Sequence, residues 1–261
     1  MSNNIKKCII GLGYVGLPLA LELSKKFKTY GFEKRKKRIN QLKKKIDKNN
    51  LLDKSEIKNL KKISFEDNLK ILSKIDIIII CLPTPVKRNK KPDLKLLKSA
   101  SRKIGTYIKK NTTIIFESTV YPGVTEEICV PIIEKSSGLI WKKDFYVGYS
   151  PERISPGRNY KKLSNIKKII SGDTVRTVKI LEKIYSKIIK AGLYVAKNIK
   201  VAEAAKILEN TQRDVNIALM NEVSIIFDKL NINTRDVIKA ASTKWNFGLY
   251  YPGLVGGHCI G

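Results

Sequence analysis

Gly11-Leu12-Gly13-Tyr14-Val15-Gly16 constrains this chain more than any other segment, because its three glycines close one apolar run and open another. Residues 6–11 read as a strand, 14–27 as a helix, and 29–32 as a second strand that ends in Glu33. In that setting each glycine has its own task. Gly11 permits the tight turn, Gly13 lets a backbone approach a pyrophosphate, and Gly16 lets the helix pack close to the sheet. The helix N-terminus then offers N–H groups and a positive dipole to phosphate oxygens. Glu33 lies near the expected distance of about 20 residues and would accept hydrogen bonds from both adenosine ribose hydroxyls. A carboxylate there favours NAD over NADP by repelling a 2′-phosphate, although Lys34 and Arg35 beside it weaken the preference. A glycine turn without a ligand is the bland alternative.

Strand-like and helical segments alternate over the first three quarters of the chain. A lysine-rich helical stretch is expected to about Lys62, and residues 75–82 form a short apolar run suited to a strand buried on both faces. Further strands are expected at 112–117, 145–149, 166–170 and 192–196, with helices at 93–108, 125–134 and 174–189 between them. This alternation predicts an α/β fold, a doubly wound and mostly parallel Rossmann-like sheet. Beyond Lys197 the pattern changes to one long connecting helix and a short all-helical region. Val201, Ala204, Ala205, Leu208, Val215, Leu219, Val223 and Ile226 keep an apolar stripe with no Gly or Pro before Asn231. Such a stripe needs a partner, either a further domain or a second subunit. The expected organisation is a nucleotide-binding domain at 1–197 and a central helical, dimerisation region at 198–261.

The net charge of +29 invites a nucleic-acid reading, with basic residues crowded between positions 34 and 62. Lysine far outnumbers arginine, and this stretch offers few bidentate or stacking side chains. A solvated lysine surface is therefore expected, with no nucleic-acid partner. The apolar run at 77–82 is far too short to span a bilayer, and the N-terminus shows no secretion signal, so a cytoplasmic protein is expected. The four cysteines have no paired spacing, which favours reduced thiols and no metal site.

Cys259 stands out among them, set in Gly256-Gly257-His258-Cys259-Ile260-Gly261 where little shields a thiolate. It reads as a nucleophile or as an inert loop thiol. Cys8, Cys81 and Cys129 sit in apolar segments and read as small buried hydrophobes. On the long helix, Lys206 and Asn210 share a face nearly opposite the apolar stripe, with Asp214 and Asn221 on the same side. A solvated polar face is the default there. The alternative is an ammonium and an amide aimed at a developing oxyanion, where one donor contributes about 3 kcal/mol. Glu152, after the strand at 145–149, could activate water or form a surface ion pair with Arg153.

Taken together, GLGYVGLPLA, CLPTP, ESTVYPG, YSPERISPG, EAAKILEN and PGLVGGHCIG resemble the UDP-glucose/GDP-mannose dehydrogenase family, in its order and across the whole chain. The resemblance implies oxidation of a nucleotide sugar at carbon 6, twice, with two NAD and a cysteine adduct that retains the aldehyde. It implies Cys259 as the nucleophile of a thiohemiacetal and then a thioester. Lys206 and Asn210 match the pair that stabilises alkoxide and oxyanion charge, Glu152 the carboxylate of thioester hydrolysis, and Thr119 a hydroxyl near the water and nicotinamide. Cofactor contacts are implied for Gly11, Gly13, Tyr14, Val15, Gly16, Glu33, Arg38, Thr84, Ser118 and Thr119.

Two departures from the family pattern bear on these expectations. Pro156 stands where UDP-glucose enzymes carry a second glutamate, and SPERISPG with ESTVYPG is more like enzymes of UDP-N-acetylhexosamines, UDP-N-acetylglucosamine above all. UDP-N-acetylmannosamine and UDP-glucose are the alternatives. The family's Val-Asp-Pro segment and UDP-gripping domain would follow Cys259, so an N-terminal fragment that binds NAD with little turnover is expected, for a role in surface polysaccharide synthesis. A non-catalytic NAD-binding or oligomerisation module is the competing reading.

Overall fold

The computed structural model describes residues 5–153 and 162–255. Its centre is three short strands whose side chains are buried on both faces. Strands β1 (Lys7–Ile10), β4 (Ile77–Ile80) and β5 (Thr113–Phe116) are buried throughout; β4 is apolar at every position, while Lys7 opens β1 and Thr113 opens β5. With β2 (Thr29–Phe32), β3 (Ile63–Glu66), β6 (Tyr146–Tyr149), β7 (Lys168–Gly172) and β8 (Leu193–Val195) they make an eight-stranded sheet in the order β3-β2-β1-β4-β5-β6-β7-β8. Every pairing is parallel except β6 with β7. The strand order reverses between β1 and β4, so the ends of those strands open a crevice where α/β sheets bind ligands.

Helices cover both faces as the alternation requires. Helix α1 (Gly16–Ser24) buries Leu17, Leu19, Ala20, Leu21 and Leu23, and Pro18 is tolerated in its first turn because no intrahelical N–H is needed there. Helix α4 (Lys95–Gly105) buries Leu97, Ser101 and Ile104, while α6 (Val175–Tyr185) buries Thr177, Leu181, Ile184 and Tyr185. Thr174 caps α6 by accepting the Thr177 N–H.

The lysine-rich stretch differs from expectation. It is not one helix: α2 (Lys36–Lys43) stops early, and a single turn α3 (Lys54–Ile57) begins at Asp53, whose carboxylate and Glu56 form a reciprocal capping box. The edge strand β3 then follows, just past the stretch expected to be helical. Ile63 and Phe65 are buried while Ser64 points outward, a half-buried alternation suited to an edge.

A turn of π-helix at Val124–Cys129 leads into α5 (Val130–Ser137). The long helix α7 (Ile199–Lys229) and the shorter α8 (Thr234–Ala241) complete the described chain. Two compact units divide within α7, between Ala204 and Ala205. Among the described residues no helix is long and apolar enough to cross a membrane.

Candidate functional site

The turn after β1 separates the three glycines physically. Gly11 has φ +94°, and a Cβ there would lie 2.7 Å from the Cys81 carbonyl oxygen. A Cβ on Gly16 would lie 1.9 Å from the Gly11 carbonyl oxygen. Gly13 is different: nothing lies within 4 Å of where its Cβ would be. The protein's own packing does not need Gly13 to be small, which leaves open space at the turn. Helix α1 starts beside that space at Val15, which supplies no side-chain cap, and its first turn carries no acidic residue. The Leu17 N–H donates to the Gly13 carbonyl oxygen at 3.0 Å and Pro18 has no N–H, so the turn offers an anion the helix dipole and the N–H groups of Val15 and Gly16. Val15 is buried and Tyr14 half-buried, on either side of the same turn.

Glu33 directly follows β2, at one end of the crevice. It is buried, and its Oε1 accepts the Arg35 backbone N–H and Nε, each at 3.1 Å, while Oε2 takes Nη2 at 3.3 Å. Burial works to raise its pKa, but these donors outweigh it and hold the carboxylate below its ordinary value. Arg35 is therefore gripped by Glu33, its own pKa raised by that bond. Arg38 on α2 is buried, with Nη2 2.7 Å from Asp47 Oδ1 but off-line for a hydrogen bond. The Asp47 carboxylate instead accepts the backbone N–H groups of Asn49, Leu51 and Leu52. A buried guanidinium with donors left over suits an additional oxygen or ring at that end.

At the other end, the loops after β4 and β5 are tied together. Thr84 Oγ1 donates to the Thr119 carbonyl oxygen at 2.5 Å. Tyr149 OH donates to the Ser118 carbonyl oxygen at 3.1 Å, and the Ser118 hydroxyl is buried with no hydrogen-bond partner. Orphaned polar atoms at Arg38 and Ser118, together with the open space at Gly13, fit a polar cofactor. Glu152 follows β6, is buried, and accepts the Arg153 backbone N–H at 2.7 Å.

In the second unit, Lys206 and Asn210 are buried, whereas Leu208, Leu219 and Ile226 of the apolar stripe are 69%, 51% and 53% exposed. The periodicity defined the two faces of α7 correctly but the expected solvated face is the buried one. Arg213 Nη2 donates to Asn210 Oδ1 at 3.1 Å. Asn221 forms a reciprocal pair with the Gly253 backbone, at 2.9 and 2.8 Å. Cys259 and His258 lie outside the described residues.

Several residues without an assigned role also emerge. Glu203 accepts N–H bonds from Gly123 at 2.6 Å and Thr125 at 3.0 Å, plus the Thr125 hydroxyl at 2.7 Å. It caps the turn that follows Tyr121-Pro122-Gly123. Its place three residues before Lys206, on the same helix face, was the available signal. Glu117, Lys168 and Tyr185 form a buried cluster with no local signal at all.

Residues 5–189 match the UDP-glucose/GDP-mannose dehydrogenase family, NAD binding domain, and residues 200–261 match its central domain. The chain belongs to this family. NAD is accordingly the cofactor of the domain that holds the Gly11–Gly16 turn. Relatives include protein CapL of Staphylococcus aureus, 52% identical over all of this chain and 61% of its own length. A UDP-N-acetyl-D-glucosamine 6-dehydrogenase of Pseudomonas aeruginosa is 51% identical over 99% of this chain and 61% of its own. Among solved structures, a UDP-D-ManNAc dehydrogenase from Pyrococcus horikoshii superposes with a TM-score of 0.90 at 32% identity, covering 98% of this chain and 62% of that one. The chain thus spans about three-fifths of the length of these family members.

Proposed function

We propose that these residues carry the cofactor half and the reactive thiol of a dehydrogenase that oxidises a UDP-N-acetylhexosamine, UDP-N-acetylglucosamine first, at carbon 6 to the uronic acid. The observation that carries the substrate class is the 51% identity to the Pseudomonas aeruginosa UDP-N-acetyl-D-glucosamine 6-dehydrogenase over nearly the whole chain. UDP-N-acetylmannosamine is the nearest competitor, with relatives of that name at 34–36% identity.

NAD, when bound, takes up a hydride in each of the two oxidations. Gly11, Gly13, Tyr14, Val15 and Gly16 would hold its pyrophosphate at the α1 N-terminus, Glu33 and Arg38 its adenosine end, and Thr84, Ser118 and Thr119 its nicotinamide side. Cys259 is the thiolate that attacks the C6 aldehyde, its sulfur–carbon bond forming as the carbonyl oxygen gains charge. Lys206 and Asn210 donate to that oxygen, and their burial makes each donor worth more than in water. After the second oxidation leaves a thioester, Glu152 takes a proton from the attacking water and the Cys259 thiolate departs. On this reading the protein works in the cytoplasm, making an acidic sugar for surface polysaccharide.

The exposed stripe of α7 is assigned to a second copy of this chain, as a homodimer contact. Leu219→Glu should then weaken self-association in sedimentation, and a wild-type chain that stays monomeric at every concentration would remove the assignment.

For the 261 residues alone we expect NAD binding with little or no turnover, since rate depends on the binding energy of the whole nucleotide handle. The test is a chimera that extends this chain with the remaining portion of the Pseudomonas aeruginosa relative. UDP-N-acetylglucosamine should yield two NADH per sugar, and Cys259→Ser should yield no acid. Turnover with UDP-glucose alone, or acid formation by the Cys259→Ser chimera, would overturn the reading.

A further inference from the structure

The sheet topology brings three buried polar side chains together at the loop after β5. Strands β5 and β6 run parallel and end side by side at Phe116 and Tyr149. Strand β7 runs antiparallel to β6, so it begins near those ends, at Lys168. Glu117 is the first residue after β5, and Tyr185 is the last of α6, which packs on β6 and β7. Lys168 Nζ donates to Glu117 Oε2 at 3.1 Å, and Tyr185 OH donates to Glu117 Oε1 at 2.5 Å. Both carboxylate oxygens are thus taken, with 3% of the Lys168 side chain and 0% of the Glu117 side chain exposed. The Lys168 ammonium also sits 5.0 Å from the Tyr185 ring centre, so the three groups brace one another. Burial opposes the Lys168 charge, yet nearby carboxylates, Glu117 first, outweigh it and hold the lysine above its ordinary value.

A buried ion pair is weak as a stabiliser, since apolar side chains of the same volume often serve as well. What this one adds is direction, because the carboxylate meets both donors in one place only. The main chain that carries it is tied down as well. The Glu117 N–H donates to the Ile80 carbonyl oxygen at 2.9 Å, Tyr149 OH to the Ser118 carbonyl oxygen at 3.1 Å, and Thr84 Oγ1 to the Thr119 carbonyl oxygen at 2.5 Å. Every residue from 117 to 119 therefore has a tether to a neighbouring element. The Ser118 hydroxyl stands apart, buried and with no hydrogen-bond partner. A loop held at this many points, with a buried hydroxyl left unmet, suits a partner supplied by a ligand.

We infer that Glu117 is a positioning residue: gripped by Lys168 and Tyr185, it fixes residues 118–119 so that the Ser118 hydroxyl meets the nicotinamide end of the cofactor. The identity of that ligand end rests on the function proposed above, whereas the fixing of the loop does not. Glu117 itself need not touch the ligand, because its effect passes through the peptide bond to Ser118. Once the carboxylate is released, the hydroxyl drifts from the separation of about 2.5–3.0 Å that its hydrogen bond requires. The adenosine end is independent of this device. Glu33 follows β2, which lies beyond β1 and β4 from β5 in the sheet.

The test compares NAD with ADP-ribose, which keeps the adenosine and pyrophosphate but lacks nicotinamide, in calorimetric titrations of the 261-residue chain. Tyr185→Phe removes one donor to Glu117 and should weaken NAD about threefold, with ADP-ribose bound as by the parent. Glu117→Ala should weaken NAD about tenfold. Glu117→Gln, whose carbonyl can still accept from Lys168, should recover part of that loss. Glu117→Ala leaves a buried ammonium unpaired and can unfold the chain, in which case Tyr185→Phe decides. Hydrogen exchange supplies a readout that needs no ligand: residues 117–119 should exchange faster in Tyr185→Phe, with β1 unchanged. Faster exchange there, with a loss confined to NAD, supports the inference. Unchanged exchange in folded Tyr185→Phe overturns it, as does an NAD affinity that is unmoved or falls in parallel with that of ADP-ribose. A parent chain that binds no NAD would instead remove the cofactor site, and the exchange arm would still decide whether Glu117 holds the loop.

Discussion

The carbonyl oxygen of Gly11 occupies the space that a side chain on Gly16 would need, 1.9 Å from the position of its Cβ. Turn and helix are thus packed to contact at one glycine while Gly13, between them in sequence, faces nothing. Gly16→Ala must shift backbone and should cost about 3 kcal/mol, read as a lower midpoint in urea unfolding. A Gly16→Ala chain as stable as the parent would show that this packing is wrong.

Glu33 carries both a stability and a selectivity prediction. Its folded pKa is depressed, so its contribution with Arg35 is present above the unfolded glutamate value of about 4.3 and is lost as pH falls through the lower folded value. The melting difference between the parent and Glu33→Gln should shrink steadily below about pH 4. The same variant should bind NADP closer to NAD, because the repulsion of a 2′-phosphate is gone. An unchanged preference in direct titration would mean that Glu33 does not meet the ribose.

Thiol chemistry offers an independent check. Cys8, Cys81 and Cys129 are buried, and burial pushes all three thiols up, Cys129 to about 11. At neutral pH they have almost no thiolate. Iodoacetamide on the native fold should therefore mark Cys259 first by a wide margin. Peptide mapping that finds equal labelling of any of the other three would contradict its role as the nucleophile.

Glu203 should be essential to the start of α7. Glu203→Ala strands the buried Gly123 and Thr125 donors and should lose about 3 kcal/mol in denaturant unfolding. Loss below about 1 kcal/mol would mean that water or another group serves them equally well.

What the sequence made legible was local. The glycine turn, Glu33 and the apolar runs of β1 and β4 could be read because strand, turn and helix lie within a few dozen residues and burial on both faces leaves a plain signature. The edge strand β3 was hidden by its four residues and its lysine-rich approach, where alternation over Ile63, Ser64 and Phe65 is too short to stand out. The faces of α7 were legible, but periodicity cannot say which of two faces is covered, and Lys206 with Asn210 proved buried. The Glu117 cluster was invisible for a different reason. Its partners are 51 and 68 residues away and meet only because β5, β7 and α6 are neighbours in the fold.

The most direct test of the account is calorimetric titration of NAD into the 261-residue chain and its Gly13→Val variant. A Cβ at position 13 touches no protein atom, so the variant should melt with the parent while its side chain fills the space kept for the pyrophosphate. One NAD should bind per parent chain and none detectably to Gly13→Val, at an unchanged melting temperature. Equal NAD affinity in the two chains would contradict it.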